Sequence, residues 1–121
     1  MLATYQALAH LALDEFKDVV VDSTLLGGTP ASPNKLRLVR ADASSIDIWL
    51  TADGDYSHRW ERRRQRGLIY RWDNAPHHPH AATFPGHLHD GDESAINESS
   101  LSADPIVALR RILQFVRLHM A

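Results

Sequence analysis

Apolar and polar residues alternate along this chain with two different periods, and the change of period divides it into elements. From Leu2 to Asp18, Leu8, Leu11, Ala12 and Phe16 recur at helical spacing while Gln6, Asp14 and Lys17 fall toward water, which predicts an amphipathic helix. Val19 to Leu26 opens with β-branched residues and predicts a strand that leaves the helix directly. The segment GGTPASPN that follows is a loop, broken by glycine and proline.

Period two then takes over. Lys35 to Arg40 puts Leu36 and Leu38 on one face and Lys35 and Arg37 on the other. Ile46, Ile48 and Leu50 alternate with Asp47 and Trp49, and in Tyr56 to Arg62 His58 and Trp60 alternate with Ser57 and Arg59. The separators are a polar ADAS turn, the Asp53-Gly54 hairpin signal and an arginine-rich turn closed by Gly67. Leu68 to Asp73 is the last strand of the pattern, and connections this short favour an antiparallel meander. Asn74 to Ala103 holds too many prolines, histidines and acidic residues for a long regular element and reads as one loop. Asp104-Pro105 starts a final helix, aspartate as N-cap and proline in the first turn. Its apolar stripe is Ile106, Leu109, Leu113 and Val116, opposite Arg110, Arg111 and Arg117. Two amphipathic helices need a surface to cover. The expected fold class is therefore α+β: an antiparallel sheet of four to five strands, with the N-terminal and C-terminal helices packed on it and a long His-rich loop.

Composition narrows this picture. A chain of 121 residues with 44% apolar content is expected to be a single domain, 1–121, around one core. There is no cysteine, so disulfides, thiolate nucleophiles and cysteine-ligated zinc are excluded. The N-terminal stretch lacks a basic region, and Asp14 and Glu15 interrupt its apolar pattern, so neither a signal peptide nor a membrane partner is expected, and the expected location is cytoplasmic. The formal net charge of -2 argues against coating nucleic acid by bulk charge. Yet six of the thirteen basic residues, Arg59, Arg62, Arg63, Arg64, Arg66 and Arg71, crowd one segment. They are a phosphate-binding patch or, more plainly, a solvated hairpin edge.

Five of eight histidines, His77, His78, His80, His87 and His89, fall between positions 77 and 89, bracketed by Asp73 and Asp90. Three uses are open. One is metal-free RNA cleavage, in which histidines serve as base and acid, Asp73 orients one of them, and Arg59 and Arg71 clamp the phosphate. Tyr70 and Trp72 are read on opposite faces of their strand, leaving one, Tyr70, to stack a base. The second is a divalent metal site, with His87 and His89 on one side of an extended segment and Asp73, His77, His78 or Asp90 completing the shell; zinc, manganese, iron and nickel all suit such donors. The third is purely structural, with histidines packed or solvated between turns. His10, His58 and His119, like Trp49 and Trp60, are read as scaffold.

The run RWDNAPHHPHAATFPGHLHDG makes the reading more specific. It resembles the TumE family, the toxin half of bacterial toxin–antitoxin pairs, through Arg71, Asp73, Asn74, Ala75, Pro76, His77 and His78 in its first part. Thr83, Phe84, Pro85, His87, His89, Asp90 and Gly91 carry the second part. The upstream meander and the terminal helix agree, so the resemblance covers most of the chain. It departs at Gly86, where relatives are expected to carry histidine after Thr-Phe-Pro. The resemblance implies a bacterial toxin encoded beside an antitoxin protein, often one with a helix-turn-helix domain. By analogy with other toxins of such pairs, the leading expectation is a ribonuclease that needs no cofactor. The alternatives are a non-catalytic partner-binding module with a metal-stapled loop, and a metal-dependent phosphodiesterase.

Overall fold

The period-two segments pair in chain order. The computed structural model describes residues 1–120, with helix α1 at Leu2–Glu15 and α3 at Pro105–His119. Between them lie strands β1 (Asp22–Leu26), β2 (Lys35–Val39), β3 (Ser45–Leu50), β4 (Tyr56–Arg62), β5 (Leu68–Asp73), β6 (His87–Gly91) and β7 (Ile96–Glu98), with a one-turn helix α2 (Arg63–Arg66). All neighbours are antiparallel, and the sheet order is β1 to β7 without a crossover. The class is the expected α+β, but the sheet has seven strands rather than four to five. The two extra strands come from the segment read as loop. In β6 the alternate residues are histidines, which are buried without being apolar, so the hydrophobic signal vanished.

Two boundaries also move. The first helix ends at Glu15, with the Phe16 amide bonded to the Ala12 carbonyl, and β1 begins only at Asp22. Val19 and Val20 are nearly fully buried, and both their amides reach the Phe16 carbonyl. They fill the core from a turn, where apolar content alone had suggested a strand.

One face of the sheet carries Leu36, Leu38, Ile46, Ile48, Trp60, Tyr70, Trp72 and Leu88, which pack with Tyr5, Leu8, Leu109, Ile112, Leu113 and Val116 of the two helices. The Tyr5 hydroxyl donates to the Asn34 carbonyl at 2.8 Å and accepts from the Leu50 amide at 3.0 Å, fixing α1 over the sheet. Asp104 caps α3 by accepting from the Ile106 amide at 2.9 Å. Tyr70 and Trp72 correct the expectation of opposite faces. Two residues apart on a strand they share a face, and both rings meet Phe115 edge-on, at 5.2 and 5.0 Å. Tyr70 also stacks on Trp60, so it is a core residue, 7% exposed, and unavailable to a base.

The opposite face carries the polar set. Cross-strand register aligns Ser57, Asp73 and His87 in one row and Asp47, Arg59, Arg71 and His89 in the next. Among the described residues no helix covers this face; the connection from β5 to β6 folds over part of it, bringing the His78 ring 4.7 Å from that of His87. Among the described residues no helix is long and apolar enough to cross a membrane.

Candidate functional site

Asp73 ends β5 and launches the connection: its Oδ1 accepts from the Ala75 amide at 3.0 Å. Asn74 locks the exit, accepting from the Tyr56 amide at 2.9 Å and donating to the Gly54 carbonyl at 3.0 Å. Thr83 secures the far end, donating to the Gly86 carbonyl and accepting from the Ser99 amide, both at 2.8 Å. A side chain at Gly86 would place its Cβ 2.8 Å from the Ser99 carbonyl oxygen and 3.1 Å from the Tyr56 hydroxyl. The histidine expected there has no room in this chain.

Antiparallel register sets Asp73 opposite His87 and Arg71 opposite His89, so four polar side chains converge on one patch of sheet. The Asp73 carboxylate lies 3.0 Å from His87 Nε2 and 3.4 Å from His89 Nε2, and accepts from Arg71 Nε at 2.9 Å. The two histidine Nε2 atoms are 3.1 Å apart. Their other ring nitrogens face backbone carbonyls, His87 Nδ1 to Pro85 at 3.0 Å and His89 Nδ1 to Glu93 at 2.8 Å. A carbonyl only accepts, so both Nδ1 atoms carry the proton. Arg71 reaches further, to His89 Nε2 at 3.0 Å and to Glu93 at 3.1 Å. Asp73, His87 and His89 are all buried.

This cluster floors a cleft of about 510 Å³ whose walls include Trp49, Ser57, Arg59, Asn74, His77 and His78. His78 is half-buried, its ring 5.4 Å from His89 as well as 4.7 Å from His87. Burial first, and then the neighbouring His87 and His89, hold its pKa below the ordinary imidazole value, against the opposing pull of Asp73. Tyr56, on the wall, is pushed the other way by burial and the Asp73 charge.

Of the residues singled out in the sequence, Asp73, His77, His78, His87, His89, Arg59 and Arg71 therefore share one cleft. Asp90 does not join them. It is exposed, points away from His89 by strand alternation, and accepts from Asn97. His80 is exposed beside His78, 5.8 Å ring to ring. The arginine patch divides. Arg62 is 2% exposed, with its guanidinium 4.2 Å over the Trp60 ring and donating to the His119 carbonyl at the end of α3. Arg63 pairs with Glu61, which also holds Arg59, while Arg64 and Arg66 stand exposed on α2, outside the cleft lining. Alternation could have separated Arg62 from Arg59, since three residues apart on a strand they face opposite ways.

Two participants were missed. Trp49 is 42% exposed on the cleft wall; its place among the polar positions of β3 was the available signal. Glu93, which anchors His89 through its carbonyl and Arg71 through its side chain, carried no signal, because only the turn between β6 and β7 brings it there.

A protein-family model described as Toxin TumE matches residues 8–120. No curated protein and no solved structure matches the chain.

Proposed function

We propose that this chain, which belongs to the TumE toxin family, arrests growth by cutting RNA in the cleft over β5 and β6. Membership makes it the toxin component of a toxin–antitoxin pair and implies an antitoxin protein as partner. The finer reading adds a helix-turn-helix antitoxin and a cytoplasmic RNA substrate. The observation that carries it is the convergence of Asp73, His78, His87 and His89 beside Arg59 and Arg71 in one cleft.

RNA is favoured over DNA because the strand brings its own nucleophile, the 2′-hydroxyl beside the scissile phosphate. Arg71 and Arg59 hold the phosphate oxygens; guanidinium stays charged and suits that geometry. The His78–His87–His89 cluster takes the 2′-hydroxyl proton as the oxygen attacks phosphorus, and His77 on the rim returns a proton to the departing 5′-oxygen. The half-exposed Trp49 ring takes the stacking role that Tyr70, buried in the core, does not.

The test is expression alone and beside the neighbouring antitoxin gene, followed by incubation of purified protein with an RNA oligonucleotide and its DNA counterpart. Growth arrest relieved by the neighbour, with cleavage of RNA only, is the expected result. Arrest that survives combined His77→Ala, His78→Ala and His87→Ala substitution, with the protein folded, would remove the catalytic reading. The cleft would then be a platform for a protein partner.

A further inference from the structure

We infer that Asp73, His78, His87 and His89 bind one divalent transition-metal ion, of the zinc class, at the floor of the cleft. The argument starts from lone pairs. With both Nδ1 atoms donating to carbonyls, the neutral rings of His87 and His89 direct bare Nε2 lone pairs toward each other across 3.1 Å. The Asp73 carboxylate approaches the same point, 3.0 Å from one and 3.4 Å from the other. A third imidazole joins them: one ring nitrogen from each of His78, His87 and His89 lies within 4.8 Å of the other two.

Arg71 supplies a donor to Asp73 and to His89 Nε2. Among the described residues, however, nothing donates to the bare Nε2 of His87, which faces the His89 nitrogen and the Asp73 carboxylate with His78 alongside. A cation among these donors would serve them together. A proton on one imidazole serves a single pair. An ion with bonds of about 2.0–2.1 Å to nitrogen holds its ligand atoms about 3.3 Å apart in tetrahedral geometry, close to the 3.0, 3.1 and 3.4 Å among Asp73, His87 and His89; His78, within 4.8 Å, closes in on the ion. The carbonyl contacts at both Nδ1 atoms are also the outer contacts that fix a metal-binding tautomer and aim the ring. Imidazole and carboxylate donors without thiolate suit zinc and its first-row neighbours rather than magnesium or calcium.

Arg71 opposes the ion. Its Nη2 now donates to the His89 lone pair, a bond the ion would displace, while the guanidinium keeps Asp73 and Glu93. The two carboxylates limit the repulsion between guanidinium and ion. In the ion-bound form the three imidazole lone pairs would no longer be free to take the 2′-hydroxyl proton; the ion, expanding to a fifth ligand, would instead lower the pKa of that hydroxyl so that its proton passes to solvent. Only that last step rests on the proposed function; the binding itself does not.

The test uses the full chain, purified without a polyhistidine tag and stripped with a chelator. Zinc, manganese, cobalt and magnesium are added in turn, and metal content, thermal unfolding and the visible spectrum of the cobalt form are recorded. One zinc per chain is expected, with a raised unfolding temperature and the intense cobalt bands of a four-coordinate site. His78→Ala, whose ring is only half-buried, and His89→Gln should each lose the shift and the bands, while His80→Ala should keep them. A stripped chain that shows no thermal shift and no cobalt bands overturns the ion. If that chain still cuts RNA, the cleavage reading stands alone. A zinc-loaded chain that arrests growth yet leaves RNA intact supports the ion and overturns the cleavage reading instead.

Discussion

His58 offers a clean measurement of how this fold responds to acid. It sits on the core face of β4, 1% exposed, opposite Ile48 and Trp72 in the neighbouring strands, and its Nδ1 has no hydrogen-bond partner among the described residues. Burial alone lowers its pKa from 6.5 to about 4. In the unfolded chain the ring recovers its ordinary value, so between these limits the unfolded state binds a proton that the native state refuses. The stability contributed by a neutral His58 is therefore fully present above about pH 6.5, declines as pH falls, and is exhausted below about pH 4. Within the window the slope is about 1.4 kcal/mol per pH unit, and going from about pH 7.5 to about pH 5 removes about 2 kcal/mol. Urea denaturation at the two pH values should show that loss in the wild-type chain, with His58→Leu losing about 2 kcal/mol less. His78, also held low, titrates in both proteins and cancels in the difference. The carboxylates with lowered values, Asp18, Asp42, Asp47, Glu61 and Asp92, begin to lose their contribution only toward about pH 5, and being present in both proteins they cancel in the difference as well. Equal losses in wild type and His58→Leu would refute the reasoning. The result also sets the range for enzymology, because above about pH 6.5 a pH effect on activity no longer contains the His58 contribution to folding.

Three further outcomes separate scaffold from site. Gly86→His should add nothing to cleavage; the clash with the Ser99 carbonyl should cost about 2 kcal/mol, seen as a lower thermal midpoint, and an unchanged midpoint would show that the loop opens freely. Arg62→Met should lose about 2 kcal/mol through the His119 carbonyl bond and the Trp60 contact, with RNA affinity unaltered; weakened RNA binding by a folded variant would return Arg62 to the phosphate patch. Arg71→Lys keeps the charge but breaks the fork that joins Asp73, His89 and Glu93, so RNA cleavage should fall by about 100-fold. Cleavage at the wild-type rate would mean that Arg71 does not hold the phosphate.

Much of the scaffold was legible because it obeys one rule at a time. Leu36 and Leu38, Ile46 and Ile48, and His58 and Trp60 all take the core face that alternation assigns them, and Asp104-Pro105 opens α3 as its sequence implies. Legibility failed where two demands meet in one residue. His87 and His89 occupy strand positions that are buried yet polar, so the segment reads as loop although it pairs on both sides. The arginine cluster misled for a related reason: guanidinium suits solvent, phosphate and an aromatic face equally, and only three-dimensional packing shows that Arg62 chose Trp60 and the end of α3. Grouping Asp73 with the histidines was possible from their local density, but the direction of each ring nitrogen depends on the carbonyls of Pro85 and Glu93, which sequence does not locate.

The uncrossed meander has a bearing on the moment at which a toxin becomes dangerous. Strands join the sheet in the order in which they leave the ribosome, and Asp73 acquires its partner row only when β6 arrives. The Thr83 anchor waits longer, for Ser99, and the core face, covered until then by α1 alone, is closed only when α3 follows. A growing chain thus carries a sheet without a site for most of its synthesis. The interval in which an antitoxin meets a formed cleft opens only once β6 and Ser99 are in place.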